Sequence, residues 1–117
     1  MKTDMRFCVL NSERHGTCYH ELYKGEWDSD SLEFWSDDSL YIHDDTFNKY
    51  PKLQKTINLI IPTYDMYNAT AVTKVSWEEM GKLIAECDQD TKDFYAEIDE
   101  WAKPVLKEYG LFTILGI

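Results

Sequence analysis

The side chains best equipped for chemistry are three histidines, three cysteines and a run of carboxylates. His15, Cys18 and His20 stand close together, with Cys8 upstream, and zinc takes such ligands. Their spacing matches no common zinc pattern and no second cysteine pair accompanies them, so no metal is expected. His43 directly precedes Asp44 and Asp45, where an imidazole could serve as a base oriented by a carboxylate. The plainer reading of His43 is a surface histidine beside a helix cap. Cys8 lies in an apolar run and Cys87 completes an apolar helix stripe, so both read as inert core thiols. Carboxylate pairs can be drawn anywhere in so acidic a chain and carry no information about glycosidase-type chemistry. There is no glycine-rich phosphate loop, Gly-x-Ser-x-Gly, His-Glu-x-x-His or dinucleotide fingerprint, and no cofactor is expected. A small enzyme or ligand-binding domain built on His43, or on the His15, Cys18 and His20 group, stands as the alternative to a binding protein.

The carboxylates point elsewhere. The 117-residue chain holds 22 acids and 12 bases, a formal net charge of −10. Such a charge repels nucleic-acid phosphates and anionic membranes, and it favours basic protein partners. The acids are gathered. Residues 26–45 hold Glu26, Asp28, Asp30, Glu33, Asp37, Asp38, Asp44 and Asp45 with no Lys or Arg, interleaved with Trp27, Phe34, Trp35 and Tyr41. Aromatic anchors among carboxylates suit docking onto a basic protein surface. The residues assigned to partner binding are Trp27, Asp28, Asp30, Glu33, Trp35, Asp37, Asp38, Asp44 and Asp45. The competing reading is a solvated turn whose rings point into the core. Residues 46–75 are basic by contrast, and 76–108 return to excess acid.

The elements that must position these residues follow from periodicity. Met5–Leu10 and Thr17–Tyr23 read as strands, the second antiparallel to the first and turned by a segment ending in Gly16. In the second, Cys18, His20 and Leu22 fall on one face, and Tyr19, Glu21 and Tyr23 on the other. Leu32–Trp35 and Ser39–His43 are short strand candidates separated by a turn at Ser36–Asp38. Asp44 and Asp45 can cap a helix carrying Phe47, Tyr50, Leu53, Ile57 and Ile60, which Pro51 must start or kink and Pro62 stops. Thr70–Val75 reads as a strand. Ser76 and Glu79 form a capping box opening a helix with Trp77, Met80, Ile84 and Cys87 on one stripe. A further helix from Asp90 or Thr91 carries Phe94, Ile98, Trp101 and Val105, should kink at Pro104 and should end at Gly110; Leu111–Leu115 is a last strand. The expectation is one α+β domain, residues 1–117: a mostly antiparallel sheet of four to six strands packed against about three helices.

An apolar fraction of 44%, with 15% aromatic residues, is ample for a core and excludes a disordered chain. Three cysteines without regular spacing suggest a reducing cytoplasm, although Cys8 and Cys18 could face each other across a hairpin. No secretory leader or membrane-spanning run is read from the sequence. The run Leu40-Tyr41-Ile42-His43-Asp44-Asp45-Thr46-Phe47, followed by Thr73-Lys74-Val75-Ser76-Trp77-Glu78-Glu79-Met80, resembles the small acidic immunity proteins of bacterial polymorphic-toxin and contact-dependent growth inhibition systems. The resemblance spans residues 39–88. It implies a cytoplasmic antidote that sequesters a cognate toxin with a basic surface, commonly a nuclease, without itself touching nucleic acid. An acidic nucleic-acid mimic shares the charge argument and is a further alternative.

Overall fold

The computed structural model describes residues 5–28, 30, 35–65 and 67–116. Its strands are β1 (Cys8–Leu10), β2 (Tyr19–Lys24), β3 (Leu40–His43), β4 (Ala69–Thr73) and β5 (Leu111–Leu115). Its helices are α1 (Asp44–Lys49), α2 (Pro51–Ile60), α3 (Lys74–Ile84) and α4 (Gln89–Tyr109). All five strands join one antiparallel sheet in the order β1-β3-β2-β5-β4, and the fold is α+β.

Register decides which face each side chain takes. His20, Leu22, Leu40, Ile42, Val72, Phe112 and Ile114 share one face, and all but His20 join the core cluster beneath the helices. Phe47, Leu53, Ile57, Trp77, Met80, Ile84, Phe94 and Ile98 meet them from the helices. Tyr19, Glu21, Tyr23, Tyr41, Thr113 and Leu115 take the opposite face. On that face too Tyr19, Glu21, Tyr41, Thr113 and Leu115 are buried, and the short 3-10 helix Asn11–Glu13 adjoins it through Asn11.

Several local expectations are corrected. β2 neither pairs with β1 nor runs antiparallel to it: β3 lies between them, and as each is antiparallel to β3 the two are parallel. The eight residues joining β1 to β2 easily span two inter-strand spacings of roughly 10 Å. Leu32–Phe34 lie outside the described residues, and Trp35 belongs to no strand. The expected single helix after β3 is two. Pro51 has no N–H and forces Tyr50 out of the helical region, to φ −123 and ψ 68, so α1 ends and α2 begins with proline in its first turn. The cap of α3 is Thr73, whose hydroxyl accepts the Ser76 N–H at 3.2 Å; Ser76 is already helical. The cap of α1 is His43, not the two aspartates. Asp88 caps α4, taking the Thr91 N–H and hydroxyl, and Lys52 reaches it at 3.0 Å. Pro104 lies inside α4, which continues to Tyr109. Pro104 and Glu100 are both exposed, so solvent can meet the Glu100 carbonyl freed by the missing N–H. Gly110 stops the helix at φ 78, as expected of a C′ glycine. Among the described residues no helix is long and apolar enough to cross a membrane.

Candidate functional site

Of the acidic segment after β2, residues 25–28, 30 and 35–39 are described, and the anchor of the 35–39 turn is a buried carboxylate on the sheet face opposite the core cluster. Glu21 is only 2% exposed. Its Oε1 accepts the Trp35 N–H at 2.8 Å; its Oε2 accepts the Ser36 N–H at 3.1 Å and the Ser39 hydroxyl at 2.7 Å. One strand side chain thus holds both ends of the 35–39 turn. The Tyr41 hydroxyl donates to the Ser36 carbonyl at 2.7 Å, and burial, with Glu21 beside it, pushes that phenol well above its ordinary range.

Trp35 is held from both sides. Its ring stacks on Tyr41 with centroids 5.7 Å apart, and the Arg14 guanidinium lies 3.9 Å from its centroid. Asn11 donates to the Trp35 carbonyl at 3.0 Å and to Asp37 at 2.7 Å, while accepting from Arg14 Nε at 3.0 Å. Arg14 also donates to the Gly16 carbonyl. These contacts keep Trp35 at φ 61, a left-handed conformation that costs a bulky residue ~1–3 kcal/mol. The Trp101 indole donates to the Asp38 carbonyl at 3.1 Å and so ties the turn to α4. At the segment's other end, Thr113 donates to the Gly25 carbonyl at 2.8 Å, and the half-buried Trp27 lines a notch with Tyr67, Ala69 and Leu115.

Among the described residues of the segment Trp27 and Trp35 are half-buried against the chain while the acids are exposed. Glu26, Asp28, Asp30, Asp37 and Asp38 are exposed along this strap; Glu33 lies outside the described residues. Asp44 and Asp45 do not join them, because they sit at the opposite end of β3. Asp45 is exposed. Asp44 is committed inward: its Oδ1 meets His20 Nε2 at 3.0 Å and its Oδ2 accepts from Asn48 at 3.3 Å.

The histidines and thiols do not converge. His20 is fully buried on the helix side against the edge of Phe47, and burial lowers its pKa. Its Nδ1 meets no partner among the described residues. His15 and Cys18 are exposed, and no metal-holding group of His, Cys, Asp and Glu occurs among the described residues. His43 spends its Nδ1 accepting the Asp45 N–H at 3.0 Å and packs edge-on to Tyr19. Cys8 is buried, and its thiol is pushed up chiefly by that burial. A groove of about 460 Å³ between α3 and α4 is lined by Trp77, Tyr95, Gly81 and three lysines, with no histidine or cysteine.

Sequence reasoning missed Glu21, Asn11 and Arg14, which build the strap's seat. The available signal was Glu21 between Tyr19 and Tyr23 on one strand face: a carboxylate in an aromatic row needs donors. No protein-family model matches the chain, and neither a curated protein nor a solved structure matches it.

Proposed function

We propose that this chain is an immunity-type binding protein that neutralises a cognate protein toxin, through a basic surface of that toxin. The supporting observation is the strap. Glu26, Asp28, Asp30, Asp37 and Asp38 face solvent, and the 35–39 turn that carries the last two is fixed from beneath by Glu21 and by the packed Trp35 ring. A nuclease attracts phosphates and so carries a basic cleft; fixed carboxylates complement it, steer the encounter and lose strength with salt. Fixing the turn beforehand also lowers the ordering cost of binding. The rings act as internal packing here, so recognition in this reading is carried by the acids and backbone of the strap, with Trp27 at its rim.

The test has two parts. Co-purification from the native host, with identification of the bound protein, should yield a basic toxin. Glu26→Lys with Asp38→Lys, two exposed carboxylates outside the contacts that seat Trp35, should then slow association several-fold at low ionic strength, with the thermal transition unmoved. Unchanged association kinetics at low salt would remove the strap from the interface.

A further inference from the structure

The hydrogen-bonding direction of every strand is fixed by a few bonds just outside the ladders. The Lys74 N–H reaches the Gly110 carbonyl and the Gly116 N–H reaches the Asn68 carbonyl. In the β4–β5 register these are the pairs 74↔110 and 68↔116. Directions alternate along an antiparallel strand, so Thr70 and Val72 bond to β5. The backbone N–H and C=O of Ala69 and Ala71, and the N–H of Thr73, point away from the sheet. At the other edge, Tyr41 faces Val9, so Cys8 and Leu10 point outward; the bond from the Asp44 N–H to the Cys18 carbonyl fixes this alternation.

The two edges are finished differently. On β1 both outward N–H groups are closed by carboxylates of the same chain. Glu97 accepts from Cys8 at 2.7 Å, as well as from Phe7 and Arg6, and Glu13 accepts from Leu10 at 3.1 Å. On β4 no described residue meets the outward groups of Ala69 and Ala71. Residues 69–73 contain no proline and no charge, two of the usual devices that blunt an exposed edge. Their outward side chains, Ala69, Ala71 and Thr73, are small and exposed. Beside Ala69 on the same face lies the notch of about 220 Å³ bounded by Trp27, Tyr67 and Leu115. Glu26 and Asp28 flank Trp27 in sequence and are exposed.

We infer that the β4 edge is a strand-addition site that takes an extended basic segment of a partner protein as a sixth strand. Only an extended backbone matches outward donors and acceptors alternating every second residue. The notch takes an apolar side chain of that segment, and Glu26 and Asp28 select lysine or arginine next to it. The charge of the occupant rests on the functional reading above; the hydrogen-bonding edge stands without it. A second copy of the chain is a poorer occupant, because it would bring another net charge of −10 to the seam.

The probe is an acetylated nonapeptide alternating Lys with Val around a central Phe, titrated into the whole chain and followed by amide NMR. Its twin is N-methylated on every second residue. The expected result is shifts and slowed hydrogen exchange at Ala69, Ala71 and Thr73, with affinity lost by about tenfold or more, ~1.4 kcal/mol, in the twin. Ala71→Pro deletes an outward N–H that takes no part in the β4–β5 ladder, so it should weaken the peptide equally while circular dichroism is unchanged. The twin makes the same test should this variant fail to fold. No perturbation at β4 up to millimolar peptide overturns the inference. So does binding confined to the strap and indifferent to N-methylation, which leaves the acidic-surface reading intact. A wild-type dimer in sedimentation that Ala71→Pro returns to monomer also overturns it, in favour of a second copy.

Discussion

Replacing Glu21 by glutamine tests whether the strap is seated by one carboxylate. The substitution keeps the shape and removes one acceptor. Glu21 receives three donors: Trp35 N–H on Oε1, and Ser36 N–H and the Ser39 hydroxyl on Oε2. A glutamine oxygen placed at Oε2 keeps the last two, but its NH₂ then faces the Trp35 N–H. One charge-assisted hydrogen bond is lost, at ~1.5–3 kcal/mol, and a donor is left opposing a donor in a site 2% exposed. The opposite amide orientation loses two bonds, although Ser39 can rotate its hydroxyl to accept. The expected destabilisation is ~2–4 kcal/mol, a large part of the 5–15 typical of a domain. Urea unfolding followed by far-ultraviolet circular dichroism gives the global value. Hydrogen exchange at Trp35 and Ser36 gives the local one and should rise before the sheet opens. A global change under about 0.5 kcal/mol, with exchange at those two amides unaltered, would refute the reasoning.

Three further outcomes follow from the same geometry. Glu97→Gln removes an acceptor from the group that holds Arg6, Phe7 and Cys8, so β1 should loosen by ~1–3 kcal/mol and the buried Cys8 thiol should label faster; labelling at the wild-type rate would contradict this. His20 has a lowered folded pKa, despite the opposing pull of Asp44, so the unfolded chain takes up its proton first. Stability should be full above the ordinary histidine value near ~6.5 and fall as pH drops below it. A stability-versus-pH slope that persists unchanged in His20→Gln would assign it to another group. Trp77→Ala should cost ~3–5 kcal/mol, since Trp77 is 3% exposed, stacks on Tyr95 at 4.2 Å and donates to Asp99 at 2.8 Å; a loss below about 1 kcal/mol would contradict its core position.

Local periodicity carried most of the elements. Phe94, Ile98, Trp101 and Val105 gave α4, and Gly110 gave its end, because those signals lie within a few residues of what they control. The sheet order was not legible: whether β2 meets β1 or β3 depends on register between distant segments. The caps moved by a few residues for a similar reason. Thr73 and Ser76 are both good cap residues, and the β4 ladder, by holding Thr73 extended, decides between them. For residues 26–45, composition located the acids and rings in sequence but not which way each side chain turns: Asp44 meets His20 and Trp35 stacks on Tyr41. Trp27 and Trp35 read equally well as anchors for a partner or for the chain itself. The choice lies with Glu21, Asn11 and Arg14, whose importance appears only once β2 and the segment after β1 are folded beside the strap.

The placement of Glu21 has a consequence for the strap's charge. A sixth carboxylate beneath five exposed ones adds repulsion, and a hydrophobic residue there would avoid both that and the desolvation of a buried acid. What a hydrophobic residue could not do is accept two consecutive backbone N–H groups and a hydroxyl at once. Those donors define the turn: they hold Trp35 at its positive φ, and the backbone that follows carries Asp37 and Asp38 outward. The same device recurs at the far edge, where Glu97 collects three consecutive N–H groups of the segment entering β1. In both places a carboxylate from regular structure satisfies consecutive backbone N–H groups of an irregular segment whose apolar side chains are packed beside it. The chain thus uses some of its acids as internal fasteners, while Glu26, Asp28, Asp30, Asp37, Asp38 and Asp45 are exposed. Net charge alone therefore overstates the acidic surface, because Glu21, Glu97 and Asp44 are turned to backbone and side-chain donors of the chain itself.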